Sequence, residues 1–169
     1  PLIEFCEIKN IPFYIEKTDI GEIIFEHRKE KNPCSLCSKM RGGALNKVVK
    51  GLGCTSVALG HHGDDAVETL LLNMVYAGKM GTFKPKIYLD RIGLTLIRPM
   101  VYLHEDIITS LVKLEKLPVL DNPCPASGIT KREDMKDLIN SIEDKFPPAR
   151  ANLLTSLSNV VKSGLWTNE

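Results

Sequence analysis

The chain has 169 residues, 43% hydrophobic and 25% charged, with 22 Lys plus Arg against 21 Asp plus Glu, the profile of one soluble globular domain with enough length to bury a core. No apolar run approaches the roughly 20 residues that cross a bilayer. The amino-terminal Pro1-Leu2-Ile3-Glu4-Phe5-Cys6-Glu7 has neither a basic region nor an apolar signal segment, so the expected location is cytoplasmic and no membrane partner is expected.

In chain order, Pro12-Phe13-Tyr14-Ile15-Glu16 reads as a short strand. Ser35 to Leu52 reads as a helix that places Leu36, Met40, Leu45, Val48, Val49 and Leu52 near one face before Gly53 ends it. Thr55-Ser56-Val57-Ala58-Leu59 reads as a buried strand stopping at Gly60, and Asp65 to Tyr76 as a helix with Val67, Leu70, Leu71, Met74 and Val75 on one side. Two strand candidates flank the turn Asp90-Arg91-Ile92-Gly93, the second being Leu94-Thr95-Leu96-Ile97. A helix near Leu103 to Leu117 is expected to bury Ile107, Ile108, Leu111 and Leu114. Asn122-Pro123-Cys124-Pro125 is a rigid loop, and helices near 130 to 145 and 149 to 162 are separated by Pro147-Pro148. This alternation predicts an α/β fold with a parallel sheet flanked by helices and ligands at the carboxyl ends of the strands, which is where Gly60 to Asp65 lies.

The near-neutral charge is unevenly spread. Residues 1 to 27 carry a net of −4, residues 28 to 50 a net of +6 and residues 78 to 98 a net of +4. The basic 28 to 50 stretch surrounds Cys34-Ser35-Leu36-Cys37, and positive charge beside thiols suits a polyanion such as RNA, although a solvated lysine-rich helix face gives the same pattern. Five cysteines, an odd count with a C-x-x-C and no sign of export, favour metal or redox chemistry over a disulfide framework. Cys54 and Cys6 read as core thiols, and Trp166 as a packing anchor or tail residue.

The turn Gly60-His61-His62-Gly63-Asp64-Asp65-Ala66-Val67-Glu68-Thr69 brings two imidazoles and two carboxylates to a helix start, where a carboxylate can hold Mg²⁺ and backbone N–H groups can face an anion. The same residues also fit helix capping, with Asp65 as cap and Glu68 reaching back, which leaves Asp64 without a capping role.

Taken together, Cys34-Ser35-Leu36-Cys37-Ser38, the Gly60 to Thr69 segment, Asn73-Met74-x-Tyr76-x-Gly78-Lys79-Met80, Ile97-Arg98-Pro99 and Cys124 resemble the tRNA 2-thiocytidine biosynthesis proteins of the PP-loop ATP pyrophosphatase superfamily. The resemblance runs in order from about residue 1 to 161. It implies an adenine nucleotide alpha-hydrolase-like fold and ATP-dependent adenylation of a tRNA base, a cytidine, followed by sulfur insertion. Asp64 and Asp65 would serve catalysis and Mg²⁺; Gly60, His61, Asp65, Lys79 and Arg98 would contact ATP; Cys34, Cys37 and Cys124 would hold a [4Fe–4S] cluster whose fourth iron site stays open. Zinc with a histidine, or a Cys34–Cys37 disulfide, is the alternative for the thiols. The partners implied are tRNA and a sulfur donor, protein or sulfide, with a homodimer as the expected assembly.

Two departures qualify this resemblance. The glycine-rich Ser-Gly-Gly-x-Asp-Ser loop of the superfamily does not occur in these residues, and the distal C-x-x-C retains only Cys124. The expected organisation is a PP-loop-like α/β domain over 1 to 125, without its first strand and phosphate loop, and a helical extension over 126 to 169. A tRNA-lysidine synthetase-like ligase and a noncatalytic metal- or RNA-binding module are the competing readings.

Overall fold

The computed structural model describes residues 1–166. They form two compact units, each assembled from separate stretches of chain. The first comprises Pro1–Leu59, Lys86–Ile97 and Ile108–Ile129; the second comprises Gly60–Pro85, Arg98–Ile107 and the chain from Thr130 onward.

In the first unit, helix α1 (Leu2–Ile8) is followed by a short turn of helix α2 (Ile20–Glu22) that widens into a π-helical turn at Ile23–His27. Helix α3 (Pro33–Gly51) begins with proline at its first position, where the missing N–H costs nothing. Strand β1 (Ser56–Ala58), β2 (Lys86–Leu89) and β3 (Leu94–Ile97) make a sheet in the order β1-β3-β2. The α/β class is as expected, but the sheet is mixed. β1 pairs parallel with β3, placing Val57 beside Leu96, whereas β2 pairs antiparallel with β3, placing Ile87 beside the same Leu96. The antiparallel pair arises because only four residues separate β2 from β3, enough for a hairpin and far too few for a crossover. Gly93, at φ 72°, supplies the left-handed residue of that turn and donates its N–H to the Leu89 carbonyl at 2.7 Å.

One expectation for this part of the chain fails. Residues 12 to 16 form no strand: Phe13, Tyr14 and Ile15 are exposed, because a β-favouring segment becomes a strand only when another strand pairs with it. The Ser35 to Leu52 helix forms, yet none of its residues is buried. The buried apolar side chains of the unit are Ile20, Ile24, Val57 and Leu94.

In the second unit, helix α4 (Gly63–Ala77) and helix α6 (Lys131–Lys145) face each other through Val67, Leu71, Met135 and Ile139. Helix α7 (Ala149–Ser156) adds Leu153 and Leu154 to the rim of this core. Val67 and Ile139 are wholly buried, each contributing about 1.5–3 kcal/mol relative to exposure. Helix α5 (Glu105–Leu114), whose first three residues belong to this unit and the rest to the first, has the expected amphipathic pattern but not the expected burial, since Ile107 and Leu111 are half exposed and Leu114 more so. Among the described residues no helix is long and apolar enough to cross a membrane.

Candidate functional site

The turn that follows β1 is the most tightly organised polar region of the second unit. His62, with extended backbone, is the residue preceding α4, and its N–H donates to Asp65 Oδ2 at 2.9 Å. The capping arrangement is therefore real but sits three residues upstream of the expected one: Asp65 is the residue that reaches back, and Glu68 does not cap. Asp64 does have a capping role, at a different helix. Its Oδ2 accepts the Glu105 N–H at 2.7 Å at the start of α5, and its Oδ1 accepts from Arg150 Nη1 at 2.6 Å. His104 Nδ1 and His62 Nδ1 lie 3.5 and 3.8 Å from the same carboxylate. Burial would push the Asp64 carboxyl up, but the Glu105 N–H and the Arg150 guanidinium outweigh it and hold the group below the usual carboxylate range.

Gly63 makes this approach possible. A Cβ there would stand 3.0 Å from the Leu103 carbonyl oxygen and 2.9 Å from a Leu154 methyl, and the Gly63 N–H itself donates to Leu103 O at 2.7 Å. Gly60 has no such constraint, since its Cβ would meet only the Met100 methyl at 3.5 Å.

Two arginines absent from the motif neutralise its acids. Arg132 Nη1 donates to Asp65 Oδ1 at 2.8 Å and to Glu68 Oε2 at 3.3 Å, while its Nη2 reaches Thr69 Oγ1 at 3.2 Å. Arg150 adds Glu143 at 2.7 Å and Asn140 at 2.6 Å to its contact with Asp64. Lys136 Nζ holds Glu105 Oε2 at 2.8 Å. Burial raises the Glu68 carboxyl above its ordinary value despite Arg132. Sequence reading missed both arginines because the acids of the turn that they meet lie 64 to 86 residues away along the chain. The available signal was the surplus of acids at the start of α4, which a buried site must balance with cations.

His61, Phe83 and Arg98 form a second cluster in this unit. The His61 and Phe83 rings are 4.9 Å apart, and the Arg98 guanidinium stands 4.6 Å over the Phe83 ring with Nη1 donating to Lys84 O at 2.6 Å. Burial lowers the His61 imidazole below its usual value and nearby cations add to the effect, against the opposing Asp65, so the ring is neutral near pH 7. His61 Nδ1, Thr82 Oγ1 and Arg98 Nε are buried with no hydrogen-bond partner. Such atoms are costly unless something polar meets them, which fits a polar ligand at this cluster. Lys79 lies in the exposed loop after α4.

The thiols belong to the first unit. Cys34 and Cys37 occupy the first turn of α3, the former exposed and the latter half-buried, and Cys124 is half-buried in its loop with its N–H on Asn122 Oδ1 at 3.1 Å. All five cysteines are free. Three thiols are the right donor type for an iron–sulfur cluster. Among the described residues, however, no three His, Cys, Asp or Glu side chains stand together as a metal-holding group, so the donor chemistry fits and the closed geometry is not formed. Cys54 is exposed, not a core thiol, because it occupies the turn between α3 and β1. Trp166 is fully exposed and is a tail residue, not a packing anchor.

No family model matches the chain. Curated relatives do. A protein named tRNA-cytidine(32) 2-sulfurtransferase from Paraburkholderia phytofirmans is 40% identical over 166 residues, 97% of this chain and 49% of the relative. One of the same name from Pelobacter propionicus is 40% identical over 153 residues, covering 89% and 57%. The chain thus spans about half the length of the curated relatives it matches. The structure of the U34-tRNA thiolase NcsA from Methanococcus maripaludis with its [4Fe-4S] cluster superposes with a TM-score of 0.73 over 99% of this chain and 59% of that one, at 21% identity, which is a likeness of fold. The likeness first carried by Cys34-Ser35-Leu36-Cys37 and by Gly60 to Thr69 is therefore homology over nearly the whole chain: it is a relative of the proteins named tRNA-cytidine(32) 2-sulfurtransferase.

Proposed function

We propose that this chain is part of an enzyme that activates a tRNA cytidine with ATP and replaces its oxygen by sulfur. The observation that carries the reading is the coexistence, within a 40% identical alignment over 97% of the chain, of the C-S-L-C thiols and the ordered Gly60 to Thr69 turn. Arg98 and Lys79 would meet phosphate. Neutral His61, with its unpartnered Nδ1, would accept or donate a hydrogen bond to the nucleotide without adding charge. Asp65 keeps a partly exposed carboxylate and would be the ligand for Mg²⁺ together with the nucleotide's own oxygens, whereas the Asp64 carboxylate is buried between Arg150 and the Glu105 N–H. Asp64 thus holds the turn to the start of α5 and keeps Asp65 in place.

Cys34, Cys37 and Cys124 would hold a [4Fe–4S] cluster, which when bound supplies a site for the sulfur delivered by a donor protein or sulfide. The basic residues from Arg28 to Lys50 line the same part of the sequence as Cys34 and Cys37 and would draw the tRNA backbone to it. The test is iron content after anaerobic preparation of the intact protein. Wild-type and Cys54→Ser protein are expected to bind about four irons and Cys34→Ser and Cys124→Ser close to none. A single zinc and no iron in the wild type rejects the cluster, and equal loss from all three variants points to unfolding.

A further inference from the structure

The D-x-x-E-T spacing of the turn has a use that neither capping nor nucleotide contact explains. Asp65, Glu68 and Thr69 stand at positions i, i+3 and i+4 of α4, side by side on one face, and one guanidinium meets all three. We propose that Arg132 is a positioning residue that fixes the plane of the Asp65 carboxylate for nucleotide activation, and that Glu68 and Thr69 serve to seat it; this rests on the tRNA-thiolation reading given above.

The geometry leaves the Asp65 carboxylate little freedom. Oδ1 accepts from Arg132 at 2.8 Å and Oδ2 from the His62 N–H at 2.9 Å, so both ends of the group are tied. Thr69 Oγ1 on the second guanidinium nitrogen, at 3.2 Å, stops the fork from rotating about its own stem. That stem rises from the first turn of α6, whose next inward residues Met135 and Ile139 are locked against Val67 and Leu71 of α4. Arg132 therefore reads its position from the core and passes it to Asp65. A lysine at 132 would bring the charge but not the planar fork, and could not engage three partners in fixed directions.

The experiment uses the full-length enzyme with ATP and tRNA, comparing Arg132→Lys, Arg132→Met and the double variant Arg132→Met/Glu68→Gln. Loss of carboxylate alignment by an ångström is worth about 100-fold in rate. Arg132→Met is expected to lower kcat by about that factor with KM for ATP moving less than about threefold, and Arg132→Lys to recover no more than about a tenth of the lost rate. The double variant removes the buried acid left unpaired, so its melting temperature should return to that of the wild type while kcat stays low. Return of kcat together with melting temperature would mean that Arg132 merely neutralises Glu68, and the assignment falls. If the wild type forms no thiolated tRNA, the function reading fails by itself. The arginine is then judged by hydrogen exchange of the His62 to Thr69 amides in the double variant at matched stability: faster exchange supports positioning, and unchanged exchange overturns it.

Discussion

The turn after β1 and the thiol-bearing start of α3 carry the two halves of the proposed chemistry, and they are built by opposite means. In the turn every carboxylate has its partners: Asp64 is shared by Arg150 and the Glu105 N–H, Asp65 by Arg132 and the His62 N–H, and Glu68 by Arg132. At the start of α3, Cys34 is exposed, Cys37 half-buried, and no residue of the helix is buried. The first region is ordered by the protein alone. The second has thiol donors but, among the described residues, no closed arrangement. Preorganised carboxylates suit a site that must position a nucleotide, and adaptable thiols suit one that must receive an inorganic group.

The largest expected effect tests the first half of that contrast. Asp64→Asn removes the charge from a buried ion pair and leaves one amide oxygen where two carboxylate oxygens served the Glu105 N–H and Arg150, at a cost of about 3–5 kcal/mol at pH 7 by urea denaturation. Cys34→Ala should stay within about 0.5 kcal/mol in the metal-free protein. The pH dependence has a defined sign. Because the folded Asp64 carboxyl titrates below its ordinary 3.8, its contribution is complete above that value and disappears as the pH falls through the folded one. Glu68 behaves oppositely: its folded carboxyl titrates above the ordinary 4.5, so ionisation opposes folding, and Glu68→Gln should gain on the wild type as pH rises through the raised value. Equal pH profiles for Asp64→Asn and wild type would show that the turn is not held by this charge.

Next in size is the core that supports the turn. Ile139→Ala should cost about 2–5 kcal/mol, since the side chain is wholly buried against Val67 and Leu71. Leu111→Ala on α5 should cost under about 1 kcal/mol, because half of that side chain already faces water. A large loss from Leu111→Ala would show that the outer face of α5 is covered in solution.

How much of this was legible beforehand follows from the range of each interaction. β3 was found at Leu94 to Ile97 and α4 to within two residues because strand alternation, glycine stops and helical spacing are local signals. The segment at 12 to 16 carried the same local signal and formed no strand, since pairing is not local. α5 shows the same limit: its pattern specified a helix with an apolar face but not that anything would cover it. The acids of the turn were found, while their roles depended on Arg132 and Arg150, which are ordinary surface cations in sequence and acquire meaning only through the packing of α6 and α7 on α4.

The comparison that separates the two regions most cleanly uses glycine. Gly63 sits where the backbone of α4 touches its neighbours, and the methyl of alanine would meet the Leu103 carbonyl at 3.0 Å and the Leu154 methyl at 2.9 Å. Leu154 can turn away, but a backbone oxygen that also accepts the Gly63 N–H cannot, so the helix start must shift. Overpacking of this kind costs about 1–3 kcal/mol. Gly43 lies inside α3 with nothing within 4 Å of its would-be Cβ, and there alanine should stabilise the helix by about 0.5–1 kcal/mol by restricting the unfolded chain. The pair of substitutions is chemically identical, so any difference in sign belongs to the sites. Melting curves of Gly63→Ala and Gly43→Ala displaced in opposite directions would show a turn closed by contact and a helix face left open. Displacement of Gly43→Ala to lower temperature would mean that the α3 face is occupied in solution, and the contrast between a finished site and an open one would no longer hold.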